Sequence, residues 1–239
     1  MQLVVPDASR IAAGSLIPEA TFAKLAPNCV PPRADVTAVG MGMGTARNSE
    51  MLLSRILSGS QGRFVLDADA LGVLALWYGG RDAPPVAEGQ VRVLTPHAGE
   101  AARLLACTPE EVQSDRPGAL AELVSRYRAT VVLKGPDTLV GDRSGTRVFK
   151  CPAGNPFMAL GGMGDLLAGA IAARWAWLAR QRPDADEAAV AFDAACAAVW
   201  MHAAASNAIV STVPPEDPSV VNTARHIASL RVSIERQPA

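Results

Sequence analysis

A glycine-rich turn followed directly by an acid is the strongest chemical signal in the sequence. The turn comprises Gly161, Gly162, Met163 and Gly164, and Asp165 opens an apolar helical pattern. Glycines permit positive φ and close ligand approach, and the first N–H groups of a helix can bind phosphate. An acid there can accept the proton of a hydroxyl that attacks the phosphate, and the helix dipole is expected to favour its anionic form. An ordinary helix cap is the equal alternative.

A second signal is the heptapeptide LTPHAGE at 94–100, where an apolar run gives way to a helical pattern. His97 and Glu100 are three residues apart, which places them on one face of a first helical turn. Ligands collect at the carboxyl ends of strands in open parallel sheets. His97 can hydrogen-bond a substrate there, and Glu100 can hold Mg²⁺ through water. The alternative is that Thr95 caps the helix and Glu100 is an ordinary first-turn acid.

A lysine ends the apolar run VVL and stands directly before Gly135. This residue, Lys134, is one of three lysines in the chain, with Lys24 and Lys150. A lysine at a strand end is suited to meet phosphate as a point charge. A solvated lysine in a tight turn is the equal alternative.

Two further segments carry acids or glycines at the ends of predicted strands. In VLDADAL, Asp67 and Asp69 are spaced to bind a cation, but a helix cap is the favoured interpretation. The turn VGMGMG at 39–44 is a weak signal, because it is not a GxGxxG motif and has no acid spaced to read a ribose. Walker A, G-x-S-x-G and H-E-x-x-H motifs do not occur in the sequence, which gives no support to hydrolase or zincin functions.

Short apolar runs alternate with helical patterns, which is typical of a mostly parallel sheet covered by helices on both faces. Strands are predicted at 3–5, 35–39, 63–67, 90–94, 130–133, 138–140 and 146–149, the last two forming a hairpin. Helices are predicted at 47–58, 69–78, 98–106, 117–128, 163–181, 186–205 and 218–231. The segment Thr108-Pro109-Glu110-Glu111 is typical of a helix start. Residues 1–239 are interpreted as one α/β domain.

Composition excludes several classes of protein. The chain has 239 residues, 49% hydrophobic and 19% charged, which is enough apolar material for a packed core. With 22 basic and 23 acidic residues and scattered basic positions, a nucleic-acid partner is not expected. The apolar stretches 166–179 and 188–205 contain charged or polar residues, so we expect buried helices and no membrane partner. Four widely spaced cysteines predict a reducing compartment, the cytoplasm, without a zinc site or disulfides.

The order of these segments resembles the bacterial ADP-dependent NAD(P)H-hydrate dehydratases of the ribokinase-like superfamily. The resemblance runs from near Val4 to about His202, and the windows 94–105 and 154–171 are its specific parts. Asp115-Arg116 also resembles a family feature. The segments that carry it are, in order, VGMGMG, VLDADAL, LTPHAGEAARLL, VVLKGPDT and GNPFMALGGMGDLLAGAIA.

The resemblance implies a ribokinase-like fold and an enzyme that repairs hydrated coenzymes. ADP, or alternatively ATP, together with Mg²⁺, would drive dehydration of the (6S)-hydrates of NADH and NADPH (NADHX and NADPHX). Asp165 would deprotonate the hydrate's ring hydroxyl as it attacks the terminal phosphate. The N–H groups of Gly162, Met163 and Gly164 would stabilise the transferring phosphoryl group. The implied adenosine-phosphate site is Lys134, Gly135, Pro136, Asp137, Thr138 and Gly164. The implied hydrate site is Gly42, Gly44, His97, Asn155 and Asp165, with Asn155 bracing the loop before the glycine turn.

Departures from the family pattern leave two other functions open. Family members begin with a strand, a glycine turn and a helix, roughly fifty residues, before the segment that matches LVVPDAS, and this unit is absent from the sequence given. Met163 stands where the family has Ser or Thr, and the bulkier Phe157 stands where it has Gly. The alternatives are a ribokinase-like small-molecule kinase and a non-catalytic nucleotide-binding remnant. The family also implies a homo-oligomer.

Overall fold

The central feature of the fold is a six-stranded sheet. The computed structural model describes residues 2–5, 15, 21–24, 34–58, 61–83, 86–212 and 217–235. Two described strands, β1 (Gln2–Val5) and β2 (Thr21–Lys24), form a separate parallel pair. The sheet consists, in spatial order, of β3 (Thr37–Val39), β4 (Gly62–Leu66), β5 (Gln90–Leu94), β6 (Thr130–Leu133), β7 (Leu139–Gly141) and β8 (Val148–Lys150). Strands β3 to β6 are parallel, and β7 and β8 continue the sheet in antiparallel pairing.

Helices alternate with the strands along the chain, and their starts follow local signals. The prediction at Thr108 is confirmed, because Thr108 and Glu111 form a reciprocal capping box with Pro109 in the first turn. A short 3-10 turn, Pro156–Ala159, precedes the glycine turn. The helices are α1 (Arg47–Ser58), α2 (Asp69–Tyr78), α3 (Ala98–Leu105), α4 (Pro109–Ser114), α5 (Arg116–Tyr127), α6 (Met163–Gln181), α7 (Glu187–Ser211) and α8 (Val220–Glu235).

The sheet is buried on both faces. Successive side chains of a strand point to opposite faces, so Phe64 and Leu66 pack in one core with α1 to α5. Val65, between them, packs in the other core with α6 and α7. Strand β6 repeats this alternation. The predicted α/β fold with helices on both faces is therefore confirmed.

Most predicted elements are present, and the misses have local causes. The hairpin is confirmed, with Val140 opposite Phe149 in antiparallel pairing. Strand β2 was not predicted, because TFAK is a short run that ends in a lysine. Helix α7 continues past the predicted end at 205. Ser206 is a weak helix former, but its side chain is buried together with that of Ile209, and this packing extends the helix. The predicted turn at 212–218 lies mostly outside the described residues.

Helix α7 is the most apolar long helix among the described residues. By length and composition alone it could cross a membrane, but 61% of its most apolar window is buried inside the fold. It packs against α6, α8 and strands β5 to β7. This is the packing of a core helix.

Candidate active site

Three charged side chains meet where neighbouring parallel strands end. Asp67 follows β4, Glu100 lies in the first turn of α3 after β5, and Lys134 follows β6. Lys134 Nζ donates a 2.8 Å hydrogen bond to Asp67 Oδ1 and lies 3.6 Å from Glu100 Oε2. The side chains of Asp67, Glu100 and Lys134 are 2%, 6% and 18% exposed. The fold therefore holds an ammonium group between two buried carboxylates at the sheet edge where ligands collect.

The expectation that Asp67 or Asp69 caps α2 is wrong. The residue before this helix is Ala68, and its first turn has no side-chain cap. Asp69 Oδ2 instead accepts a 2.7 Å hydrogen bond from the N–H of Gly44, and Asp67 binds Lys134. Both acids thus join α2 to other segments of the site.

The glycine turn delivers the N-terminus of α6 to the same place. Gly162, with φ of +87°, is the residue before the helix, a backbone conformation that favours glycine. A Cβ atom on Gly164 would lie 3.4 Å from Lys134 Nζ and 3.7 Å from Asp67 Oδ2. The first turn of α6 therefore lies next to the Lys134–Asp67 ion pair.

One of the three amides expected to bind phosphate is already used. The N–H of Met163 donates to the carbonyl oxygen of Leu160 over 3.3 Å, so the predicted set needs correction at this position. The N–H groups of Gly162, Gly164 and Asp165 have no acceptor among the described residues. Three donors at a helix N-terminus remain for an anion.

Asp165 is exposed in the first turn of α6 and forms no hydrogen bond or ion pair with a described residue. Burial of part of the group raises the pKa of Asp165 above its ordinary value, the negative charges of Asp67 and Asp69 raise it further, and Lys134 opposes them. These effects act against the helix dipole, which was expected to favour the anionic form; that expectation stays a prediction. A carboxylate with a raised pKa is a stronger base than an ordinary aspartate.

His97 caps α3, a role that the sequence interpretation gave to Thr95. His97 Nδ1 accepts hydrogen bonds from the N–H groups of Gly99 and Glu100, at 3.0 and 3.3 Å. An accepting Nδ1 assigns the ring hydrogen to Nε2. The His97 side chain is 55% exposed, so this N–H can donate to a ligand. Thr95 Oγ1 donates to the carbonyl oxygen of Leu66 instead.

Glu100 completes the cap and does not have a free carboxylate for a metal ion. Glu100 Oε2 accepts a 2.8 Å hydrogen bond from the N–H of His97, and Oε1 lies 3.5 Å from His97 Nε2. Among the residues described, no cluster of three or more His, Cys, Asp or Glu side chains could hold a metal. The residues present therefore do not build a direct magnesium site around Glu100.

The predicted nucleotide segment, residues 134–138, forms a tight turn. Gly135 has φ of +141° and Asp137 has φ of +53°. Thr138 Oγ1 donates to the carbonyl oxygen of Gly135 over 2.9 Å, and Lys150 Nζ lies 2.8 Å from Asp137 Oδ2 on the exposed side. Pro136, between them, has no backbone N–H to offer a phosphate.

Arg116 holds this turn from behind, a role that the sequence analysis did not assign. Its Nη2 donates to the carbonyl oxygens of Leu133 and Lys134 at 3.0 and 3.4 Å. A Cβ on Gly135 would lie 3.0 Å from Arg116 Nη1. The only sequence signal was the Asp115-Arg116 pair, because the atoms of the turn that Arg116 binds are backbone oxygens.

The VGMGMG turn packs on the segment that carries Asp67. A Cβ on Gly40 would come within 1.8 Å of the Asp67 carbonyl oxygen, and Gly40 has φ of +123°. Gly42 and Gly44, the predicted hydrate contacts, have φ of +63° and +73°. A Cβ on Gly42 would meet open space, so this position faces no described atom within 4 Å.

Asn155 braces the loop before the glycine turn, as predicted. Its Oδ1 accepts from the N–H of Phe157, and its Nδ2 donates to Ser206 Oγ and Asn207 Oδ1 on α7. Both ends of the carboxamide are engaged within the protein, so contact with the hydrate stays a prediction. Phe157 is 52% exposed and does not crowd the loop.

The fold is similar to that of an Enterococcus faecalis ribokinase-like superfamily protein, with a TM-score of 0.73 at 24% identity, covering 98% of this chain and 76% of that one. A Streptococcus mutans protein is similar with a TM-score of 0.74 at 25% identity, covering 98% of this chain and 79% of that one. The Bacillus subtilis ADP/ATP-dependent NAD(P)H-hydrate dehydratase, co-crystallized with ATP/Mg²⁺, is similar with a TM-score of 0.72 at 21% identity. That match covers 96% of this chain and 76% of the Bacillus chain.

The chain belongs to the NAD(P)H-hydrate dehydratase family, whose model matches residues 15–221. It is 43% identical over 173 residues to the bifunctional NAD(P)H-hydrate repair enzyme Nnr of Vibrio cholerae, covering 72% of this chain and 31% of that relative. It is 39% identical over 181 residues to the ADP-dependent (S)-NAD(P)H-hydrate dehydratase of Neisseria meningitidis, covering 74% of this chain and 56% of that relative. The matches thus span about a third and just over half of the lengths of these two relatives.

Proposed function

We propose that the chain dehydrates the (6S)-hydrates of NADH and NADPH at the expense of an adenine nucleotide. One observation carries the proposal: an exposed carboxylate without a protein partner, Asp165, stands beside unpaired amides at the N-terminus of α6. Membership of the dehydratase family gives the substrate class. The relative from Neisseria meningitidis is named ADP-dependent and that from Bacillus subtilis ADP/ATP-dependent, which supports ADP, with ATP as the alternative.

The chemistry begins with phosphoryl transfer. Asp165 takes the proton of the hydrate's ring hydroxyl as that oxygen attacks the terminal phosphorus, and the bond to the departing nucleotide phosphate breaks. The amides of Gly162 and Gly164 donate to the transferring group, whose charge develops at this helix N-terminus. Lys134 lies against Gly164 and supplies positive charge to the same group.

Elimination then restores the coenzyme. The ring nitrogen's electron pair expels the phosphate, the C–O bond breaks, and the neighbouring ring carbon loses a proton to form the double bond. With ADP the products are AMP, inorganic phosphate and the reduced coenzyme. His97 would donate its Nε2–H to the hydrate and the turn at Gly42 would contact the ring; the 55% exposure of His97 and the open space at Gly42 support these roles.

Magnesium fits this proposal as part of the nucleotide complex. Mg²⁺ keeps several waters and is commonly held by substrate phosphates with few protein ligands. A bound Mg²⁺ would offset the negative charge of the nucleotide phosphates, which enter a site rich in carboxylates. The free thiols of Cys107, Cys151 and Cys196 support a reducing compartment, the cytoplasm. The homo-oligomer stays a prediction.

The direct test is to incubate the protein with NADHX, ADP and Mg²⁺. The proposal predicts that NADH absorbance recovers, with one AMP and one phosphate formed for each NADH. A kinase would instead convert an alcohol to a stable phosphate ester without forming NADH. ADP binding without any turnover would support the non-catalytic alternative and contradict the proposal.

A further inference from the structure

The site holds three carboxylates near one ammonium group, so the position of that ammonium decides which acid is free. Lys134 Nζ lies 2.8 Å from Asp67 Oδ1 and 3.6 Å from Glu100 Oε2. It is also in reach of the first turn of α6, since a Cβ on Gly164 would lie 3.4 Å away. Asp165, the next residue, has no partner among the described residues.

Burial explains why Lys134 pairs with Asp67 and leaves Asp165 alone. The side chains of Asp67 and Glu100 are 2% and 6% exposed, and a buried carboxylate without a counter-charge is strongly destabilising. Asp165 is exposed, so water solvates its charge better than the charges of Asp67 and Glu100, although partial burial still raises its pKa. The ammonium therefore gains more from the buried pair.

We propose that Asp67 is a positioning residue: its carboxylate holds the ammonium of Lys134 away from Asp165 and so keeps Asp165 free to accept a proton. This inference rests on the role of Asp165 as the base in the proposed function. Without Asp67, Lys134 loses its closest partner, and only Glu100, 3.6 Å away, still opposes a turn of the ammonium towards Asp165. An ion pair with Asp165 would occupy that carboxylate. An aspartate in such a pair is a weaker base.

The charged groups that bear on the titration of Asp165 are Asp67 after β4, Asp69 in α2 and Lys134 after β6. Glu100 in α3 faces Lys134. Asp67 and Asp69 raise the pKa of Asp165 and Lys134 lowers it. Removal of Asp67 both deletes a negative neighbour and releases the ammonium, so the two effects act in the same direction.

The test is an NMR titration of the Asp165 carboxyl, which needs no turnover, in the wild type and in Asp67→Asn. The resonance is assigned with Asp165→Asn. We expect the pKa of Asp165 to fall by roughly one unit or more when Asp67 is neutralised. Adding Lys134→Met to Asp67→Asn should move it back up, because no ammonium remains. A titration unchanged in Asp67→Asn, or unmoved by the second substitution, would overturn the proposal.

Matched variants separate this mechanism from a general loss of charge or of structure. Asp69→Asn removes a negative neighbour of Asp165 but leaves the Lys134 ion pair, so its shift should be the smaller one. Glu100→Gln keeps an acceptor for the His97 N–H and removes the second partner of Lys134. It leaves the 2.8 Å Lys134–Asp67 pair in place, so the pKa of Asp165 should move much less than in Asp67→Asn. This variant also decides the question if Asp67→Asn does not fold: a fall of roughly one unit in Glu100→Gln would assign the hold on Lys134 to Glu100 and overturn the proposal.

The pH dependence of turnover is the second measurement. It distinguishes a failure of this inference from a failure of the proposed function. In Asp67→Asn the acid limb of the rate profile should move to lower pH, with kcat reduced up to about tenfold and ADP binding not weakened. A wild type that binds ADP but never forms NADH would contradict the proposed function, whereas the NMR result would stand. Normal turnover with an unmoved acid limb in Asp67→Asn would overturn only the inference.

Discussion

His97 and Glu100 hold each other in a reciprocal pair of hydrogen bonds at the start of α3. His97 Nδ1 accepts from the N–H of Glu100, and Glu100 Oε2 accepts from the N–H of His97. The cap fixes the ring, whose Nε2 lies 3.5 Å from Glu100 Oε1, while the side chain as a whole is 55% exposed. One residue therefore supports the helix and presents a hydrogen-bond donor.

Substitution of His97 by Asn or Ala should separate these two roles. His97→Ala loses the cap and should cost about 1 kcal/mol in the free energy of unfolding. Asn caps helices well, so His97→Asn should keep most of that stability. Both variants lose the Nε2–H, so both should raise the KM for the hydrate. An Asn variant with an unchanged KM would show that His97 serves the helix alone. Denaturant unfolding and steady-state kinetics measure the two effects.

Gly40 and Gly42 offer a matched pair within one turn. A Cβ on Gly40 would clash with the Asp67 carbonyl oxygen at 1.8 Å, whereas one on Gly42 would meet open space. Gly40→Ala should therefore cost about 2–4 kcal/mol in the free energy of unfolding. Gly42→Ala should cost about 1–2 kcal/mol, from its positive φ alone. Equal losses in urea unfolding would contradict the close packing of this turn on Asp67.

Arg116 should matter for nucleotide affinity although it is not expected to touch the nucleotide. It donates to the carbonyl oxygens of Leu133 and Lys134 and fixes the start of the 134–138 turn. Arg116→Met should weaken ADP binding about tenfold, because the turn is no longer held in place. Arg103→Met, on the exposed side of α3, is the control. Calorimetry that gives both variants the wild-type affinity would rule out this role.

His202 should make stability depend on pH. It is 4% exposed on α7, its Nε2 has no partner among the described residues, and burial lowers its pKa from 6.5 to about 4. Between these two values the unfolded chain binds a proton that the folded chain does not. Stability should therefore be full above pH 6.5 and fall as the pH drops towards 4, by about 3 kcal/mol in total.

The control for this prediction replaces each of two histidines. His202→Leu should remove most of the loss of unfolding free energy between neutral pH and pH 5, whereas His226→Leu on α8 should keep it. An unchanged pH dependence in His202→Leu would assign the acid sensitivity to other groups.

The sequence predicted correctly the features that depend on residues close together along the chain. The bounds of α6 and the capping box at Thr108 follow from local patterns, and both are confirmed. The role of Asp67 does not follow, because its partner Lys134 lies 67 residues away. The raised pKa of Asp165 does not follow from the sequence either, because partial burial and the charges of Asp67 and Asp69 depend on packing between distant segments. Arg116 escaped assignment because its bonds to the 134–138 turn go to backbone oxygens, which leave no pattern in the sequence.

Asp165 as the base is the central claim, and Asp165→Asn tests it most directly. The variant should fold, and its stability should equal or slightly exceed that of the wild type, because a carboxylate that is partly desolvated and lies near the charges of Asp67 and Asp69 is removed. ADP affinity should stay within about threefold of the wild type, since the amides of α6 remain. The measurement is NADH formation from NADHX and ADP at saturating nucleotide. The account predicts a loss of at least about a hundredfold in kcat. A variant that binds ADP and still forms NADH at the wild-type rate would contradict it.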